Sequence, residues 1–114
     1  MLETMMKPGG YRVEYFHRPD VTVTDRLAFY VRGELENGAA YSMHARLHML
    51  AGFQVIMTEL GLRRLVAVYL DIAQCDQVVR PAYDQMKSDL LAGVFCQLFV
   101  FRVADLAPCP AVLD

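Results

Sequence analysis

Three segments of the chain carry the patterns of strands that lie inside a sheet. Residues 27–31 and 65–70 are continuous apolar runs, and residues 94–103 are rich in valine and phenylalanine. Short unbroken apolar runs are typical of parallel strands that are covered on both faces. Residues 11–17 instead alternate between apolar and polar side chains, which predicts an extra, half-buried strand near the N-terminus. The short β-branched segment 21–24 is a candidate to pair back on that first strand.

Two segments between the apolar runs have helical spacing. From about residue 40 to residue 60, apolar residues recur every three or four positions, which predicts a helix with one buried face. A second helix is expected to begin at Arg80-Pro81, because proline in the first helical turn loses no hydrogen bond. Gly61 and Gly93 are expected to end the two helices. The predicted buried residues are Met43, Leu47, Leu50, Met57 and Leu60 in the first helix, and Tyr83, Met86, Leu90 and Leu91 in the second.

The order strand, helix, strand, helix, strand predicts an α/β fold. We expect a three-layer βαβαβ unit with right-handed crossovers and a mainly parallel sheet, to which the N-terminal strand is added. The predicted organisation is an N-terminal extension over 1–25, an α/β domain over 26–106 and a tail over 107–114.

Composition narrows the possible function classes. Apolar residues make up 55% of the 114 residues, which indicates either a sheet covered on both faces or a surface used in self-association. Eleven basic and 13 acidic residues give a net charge of −2 without a basic stripe, so we expect weak DNA binding at most. No apolar run approaches the roughly 20 residues that span a bilayer, and no secretory signal is apparent, so no membrane partner and a cytoplasmic location are expected.

Several short motifs occur in an order that resembles the catalytic domain of resolvase/invertase-type serine recombinases. Residues 30–32 (Tyr-Val-Arg) are similar to the segment that precedes the catalytic serine of that family. Residues 69–71, the Arg-Pro at 80–81 and the Leu-Leu-Ala-Gly at 90–93 are similar to its second strand and the two ends of the following helix. Residues 99–106 are similar to its third strand and the start of its Lys-Leu-Asp-Arg-Leu segment. The resemblance covers about residues 27–106 and implies a resolvase-like fold.

This resemblance implies DNA strand exchange through a serine nucleophile, but the matching positions have lost that chemistry. Glu34 occupies the position of the serine, and Ala104 and Asp105 occupy those of the family's Asp-Arg pair. A carboxylate about 4 Å from a phosphate charge is repelled by roughly 1 kcal/mol in water and about 4 kcal/mol in a half-buried site. The chain therefore resembles a truncated, degenerate copy without strand-exchange activity. The matches that remain are Arg32 and Arg80 for phosphate binding, and Asp71 in the cleft.

Two groups of residues have the side-chain types of metal ligands, and each also has a structural interpretation. Glu34, Asp71 and Asp105 are expected at the carboxyl ends of the parallel strands, where three carboxylates could hold Mg²⁺. Because Arg32, Arg80 and Arg102 are expected at the same edge, a network of ion pairs is the favoured interpretation. His44 and His48 have the spacing of a zinc-protease motif, but Ala45 replaces its glutamate, so these histidines are expected to face solvent. We therefore predict no metal and no cofactor.

The sequence leaves three functional hypotheses. The first is a non-catalytic, self-associating interaction module, expected to form homo-oligomers. The second is a ligand-binding or Mg²⁺-binding domain or enzyme that uses the strand-end cleft around Glu34, Asp71 and Arg80. The third is residual DNA contact through Arg32 and Arg80, which the net charge of −2 makes weak.

Overall fold

The computed structural model describes residues 10–34, 43–73, 80–102 and 105–106. The strands are β1 (Tyr11–Tyr15), β2 (Leu27–Glu34), β3 (Leu65–Ala73) and β4 (Gln97–Val100). The helices are α1 (Met43–Val55) and α2 (Pro81–Leu91). A π-helical segment, Ile56–Leu60, continues α1, and 3-10 turns occur at Val23–Asp25 and Leu62–Arg64. In this part of the chain, no helix is both long and apolar enough to cross a bilayer.

The described strands form one mixed sheet with the order β1-β3-β2-β4. Strand β2 lies in the centre and runs parallel to both β3 and β4, whereas β1 is antiparallel to β3 at the sheet edge. The predicted α/β fold and the extra N-terminal strand are therefore confirmed. The extension over 1–25 contributes β1 to the same sheet as the domain that follows it.

The two faces of the sheet carry separate cores, one under each helix. Because successive strand residues point to opposite faces, Phe29 packs with Met49 and Ile56 on the α1 side, and Tyr30 packs with Met86 on the α2 side. Strands β2 and β3 are buried on both faces, as their continuous apolar runs predict.

The predicted buried face of α1 is wrong. Leu47 is 55% exposed, and Leu50 and Met57 are each 56% exposed. The face turned to the sheet instead presents Ala45, Met49, Gly52 and Ile56, which are all buried. Apolar residues lie on all sides of this helix, so their spacing cannot select the inward face. Of the residues predicted to be buried, Leu60 does pack against the core, and the side chain of Met43 lies outside the described part.

A close contact explains which face of α1 turns inward. A Cβ atom built on Gly52 would lie 2.2 Å from Cζ of Phe29, so only glycine lets the helix approach this fully buried ring. Phe29 also packs edge-to-face against Phe53, with ring centroids 5.5 Å apart. The fit between a small helical residue and a large strand residue therefore decides the orientation.

Three further expectations differ from the structure. Segment 21–24 contains a 3-10 turn rather than a strand. Strand β4 covers only Gln97–Val100 rather than residues 94–103, and the described residues 94–96 and 101–102 lie outside it. In α2, Met86 is buried as predicted and Tyr83 is half-buried, but Leu91 is 89% exposed and Leu90 46% exposed, whereas Ala82 and Asp89 are buried instead.

Candidate functional site at the carboxyl ends of the parallel strands

The parallel strands bring several predicted site residues to one edge of the sheet. Arg32 and Asp71 are register partners in the ladder between β2 and β3, two residues before these strands end. Arg80 immediately precedes α2, and Arg102 follows β4 by two residues. Ligands of open α/β sheets bind beyond this edge, so the contacts of its polar groups decide whether a ligand could bind there.

Both carboxylate oxygens of Asp71 accept hydrogen bonds from other groups of the chain. Its side chain is buried, and Oδ1 accepts a hydrogen bond of 2.9 Å from the backbone N–H of Ala82. Its Oδ2 accepts hydrogen bonds of 2.9 Å from the backbone N–H of Tyr83 and from the hydroxyl of Tyr30. These N–H groups belong to the first turn of α2, after Pro81, and have no partner within the helix. Asp71 therefore caps α2 from the neighbouring strand.

The protonation of Asp71 reflects two opposing effects. Burial raises the pKa of Asp71, while the hydrogen bonds from Ala82, Tyr83 and Tyr30 and the charge of Arg80 act in the opposite direction. Its three hydrogen-bond partners are all donors, which fits an ionised carboxylate that accepts at both oxygens. A metal ion that bound Asp71 would have to displace hydrogen bonds that stabilise the fold.

Arg80 joins α2 to the segment after β4. Its guanidinium group lies 4.2 Å from the ring centroid of Tyr83 and 6.0 Å from that of Tyr30. One Nη atom donates a hydrogen bond of 2.9 Å to the backbone carbonyl of Asp105. Stacking and hydrogen bonding thus hold this predicted phosphate-binding arginine against the protein.

The side chain of Asp105 is fully buried beside Arg102. Oδ1 of Asp105 accepts hydrogen bonds from Nη2 of Arg102 at 2.8 Å and from its Nε at 3.1 Å. Nη2 of Arg102 also lies 3.3 Å from the backbone carbonyl of Arg32. Burial raises the pKa of Asp105, and the charge and hydrogen bonds of Arg102 counter it. A carboxylate thus occupies the middle of an arginine-lined edge.

The remaining predicted residues of this edge divide into two groups. Arg32 is 4% exposed, and the ring of His48 is half-buried, 5.4 Å from that of Phe101, so the expectation that His48 faces solvent is wrong. The backbone of Glu34 ends β2, opposite Ala73, which places this residue at the strand tip as predicted. The side chains of Glu34 and His44, and all of Ala104, lie outside the described residues.

Only part of the expected network of ion pairs is present among the described residues. Arg102 and Asp105 form an ion pair, but Asp71 is held by backbone N–H groups and a tyrosine rather than by an arginine. Within the described residues, no group of three His, Cys, Asp or Glu side chains is arranged to hold a metal ion. The edge is therefore a strand-end cluster of polar groups that largely bind one another, although Oδ2 of Asp105 is buried without a hydrogen-bond partner in the described part of the chain. The cluster comprises Arg32, Asp71, Arg80, Arg102 and Asp105.

A third buried carboxylate, besides Asp71 and Asp105, was missed by the sequence analysis. Asp89, in α2, accepts hydrogen bonds from the hydroxyls of Tyr15 at 2.5 Å and Tyr69 at 2.7 Å, and from the amide of Gln85 at 2.9 Å. It ties α2 to β1 and β3. Its only signal in the sequence is its helical spacing of three from Met86 and seven from Ala82, which places a charged residue on the buried face.

Comparison with protein-family models, with curated proteins and with solved structures finds no match to this chain.

Proposed function

We propose that this chain is a non-catalytic interaction module that self-associates through the outward face of α1. The observation that carries the proposal is the exposure of Leu47 and Leu50 of α1 and of Met57 in its π-helical continuation, each by more than half, on the side that faces away from the sheet. A helix that is apolar on all sides is typical of a helix with protein on all sides. The sheet covers one side of α1, and the proposed partner covers the other.

A second copy of the chain is the occupant that this surface fits best. A two-fold axis brings the same apolar stripe of two helices together, so no separate complementary surface is needed. The apolar content of 55% also exceeds what an average soluble domain carries. Three side chains cover less than the roughly 800 Å² per partner of a standard interface, so we expect a weak dimer that forms at micromolar concentrations.

The non-catalytic part of the proposal depends on the strand-end cluster. Glu34 stands at the tip of β2, at the position that the recombinase resemblance assigns to the serine nucleophile. Asp105, at an arginine position of the same resemblance, is buried against Arg102. The described serine and threonine residues, Thr22, Thr24, Thr58 and Ser88, all lie outside this edge. The relationship to serine recombinases stays a prediction, and the shared edge of Arg32, Asp71 and Arg80 supports it.

The other two hypotheses receive less support from the geometry. A Mg²⁺ site or a ligand site would need Asp71, whose two oxygens already accept three hydrogen bonds. DNA contact would need Arg80, which stacks on Tyr83 and binds the carbonyl of Asp105. Neither hypothesis has an observation as direct as the exposed apolar face of α1.

Sedimentation velocity over a range of concentrations tests the proposal. We expect the wild-type protein to shift from monomer to dimer as its concentration rises, and L50E to stay monomeric because a charge in the interface centre must be desolvated. The matched control is L91E, which makes the same exchange at an exposed leucine on α2 and should dimerise like the wild type. A wild-type monomer at all concentrations, or equal weakening by both variants, would overturn the proposal.

A further inference from the structure

A cleft lies at the opposite end of the sheet from the strand-end cluster. It has a volume of about 380 Å³ and is formed by the end of β1, the connection between β1 and β2, the start of β3 and the chain before β4. Its lining residues are Tyr15, Phe16, His17, Arg18, Pro19, Arg26, Val66 and Val94. Its size falls within the range of clefts that bind small molecules.

The charge of the described cleft lining is positive. Arg18 and Arg26 both line it, and neither forms an ion pair with a carboxylate among the described residues. The side-chain Nε of Arg18 is shielded from solvent without a hydrogen-bond partner. None of the described lining residues carries a carboxylate. A shielded N–H donor without a partner is costly, and an anionic ligand that accepts a hydrogen bond from Arg18 would offset that cost.

Aromatic and apolar side chains form the other walls. The guanidinium carbon of Arg18 lies 5.6 Å from the ring centroid of Phe16, and Pro19, Val66 and Val94 complete the apolar lining. A site with arginines at one side and apolar walls at the other fits a molecule that has one anionic group and one flat apolar group.

The backbone around the cleft is held in place. The N–H of Phe16 donates to the carbonyl of Val66 at 2.9 Å, and the N–H of Val21 donates to the carbonyl of Arg18 at 3.2 Å. Nε of Arg26 donates to the carbonyl of Val21 at 3.0 Å, which fixes the orientation of that arginine. A site whose groups are already ordered loses less conformational entropy on binding.

From these features we propose that the cleft binds a small organic anion. Its phosphate or carboxylate group contacts Arg18 and Arg26, and its apolar ring lies between Phe16 and Val94. This inference is independent of the proposed self-association, which uses α1, because no residue of α1 lines the cleft.

Isothermal titration calorimetry with four probes tests the ligand class. Phenyl phosphate and benzoate carry both features of the proposed ligand, whereas inorganic phosphate lacks the ring and phenol lacks the charge. We expect saturable binding of phenyl phosphate or benzoate with a Kd of about 1 mM or below, and binding at least about tenfold weaker for both incomplete probes. The tighter of the two complete probes identifies the anionic group. Equal binding of phenol, or no saturation by either complete probe up to about 10 mM, would overturn the proposal.

A pair of arginine variants tests the location. R18Q should weaken binding of the tighter probe by at least about tenfold, because it removes a charge-assisted hydrogen bond. R46Q makes the same exchange at a half-buried arginine of α1, outside the cleft, and should leave the Kd within about twofold. In the wild-type protein, amide chemical-shift changes should centre on residues 15–19, 26, 66 and 94. Equal weakening by both variants would contradict the assignment. Shift changes centred on α1 would also contradict it, and this measurement does not depend on the folding of R18Q because it uses the wild-type protein.

Discussion

The hydroxyl of Tyr30, in β2, donates a hydrogen bond of 2.9 Å to Oδ2 of Asp71, in the adjacent parallel strand β3. Both residues are buried, and desolvation together with the negative charge of Asp71 raises the pKa of Tyr30. Tyr30 therefore stays protonated and acts as a donor. Through this contact, the central strands and the start of α2 share one carboxylate, which makes the edge a structural junction.

Replacing Asp71 should reveal how much of the fold depends on this junction. D71N puts an amide NH₂ group opposite a backbone N–H donor, so one buried hydrogen bond is lost and two donors face each other. We expect the free energy of unfolding to fall by about 2–3 kcal/mol, the upper part of the range of about 1.5–3 kcal/mol for hydrogen bonds to charged groups. Urea unfolding measures the change. The milder variant Y30F leaves both backbone N–H groups capped and should cost about 1.5 kcal/mol, the low end of that range. An equal loss in the two variants would contradict the capping role of Asp71.

Asp89 should make the stability depend on pH in the acid range. Burial alone would raise the pKa of Asp89, but hydrogen bonds from Tyr15, Tyr69 and Gln85 lower it below its ordinary value of 3.8. A carboxyl group with a lowered pKa in the folded state stabilises the fold above the ordinary value, and this contribution is lost as the pH falls through the folded-state pKa.

The variant D89N isolates this contribution. We expect it to be less stable than the wild type at pH 7 and to lose less stability between about pH 5 and pH 2.5, so the two curves should converge in acid. Urea unfolding at several pH values measures the difference. A gap between D89N and the wild type that stays constant over this range would contradict the assignment.

The central strands could be predicted because their signal is local. Residues 27–31 and 65–70 are apolar at every position, and both segments are buried on both faces of the sheet. Parallel strands that end together then bring Arg32 and Asp71 to one edge, as the sequence analysis expected. This part of the site follows from strand length and direction alone.

The contacts within the site depend on non-local geometry, which the spacing of residues does not contain. Asp71 was expected beside arginines, but Pro81 starts α2 so close to β3 that the free N–H groups of its first turn reach the carboxylate first. Asp105 does form an ion pair with Arg102, as the favoured network of ion pairs predicts, but the spacing of residues does not show that its side chain is fully buried. The face of α1 depends on Phe29, more than 20 positions away.

Magnesium offers a direct test of the strand-end edge. Because both oxygens of Asp71 already accept hydrogen bonds and Asp105 pairs with Arg102, we expect millimolar MgCl₂ to leave the melting temperature unchanged. Differential scanning calorimetry measures this, with NaCl at equal ionic strength as the control for screening. A rise in melting temperature that is specific to Mg²⁺ would favour the metal-site hypothesis instead, since a ligand that binds only the folded state stabilises it.

Gly52 provides a test of the packing that orients α1. Replacing glycine by alanine inside a helix ordinarily stabilises it by about 1 kcal/mol. Here the added Cβ would lie 2.2 Å from Cζ of Phe29, which is fully buried and packed against Phe53 and Phe99, so the ring has no room to yield. We therefore expect G52A to lower the free energy of unfolding by about 1–3 kcal/mol, the usual cost of overpacking. In an F29L background the same exchange should cost less, because the shorter side chain leaves space for the methyl group. If G52A stabilises the protein while Phe29 is present, the helix does not meet the sheet at this residue.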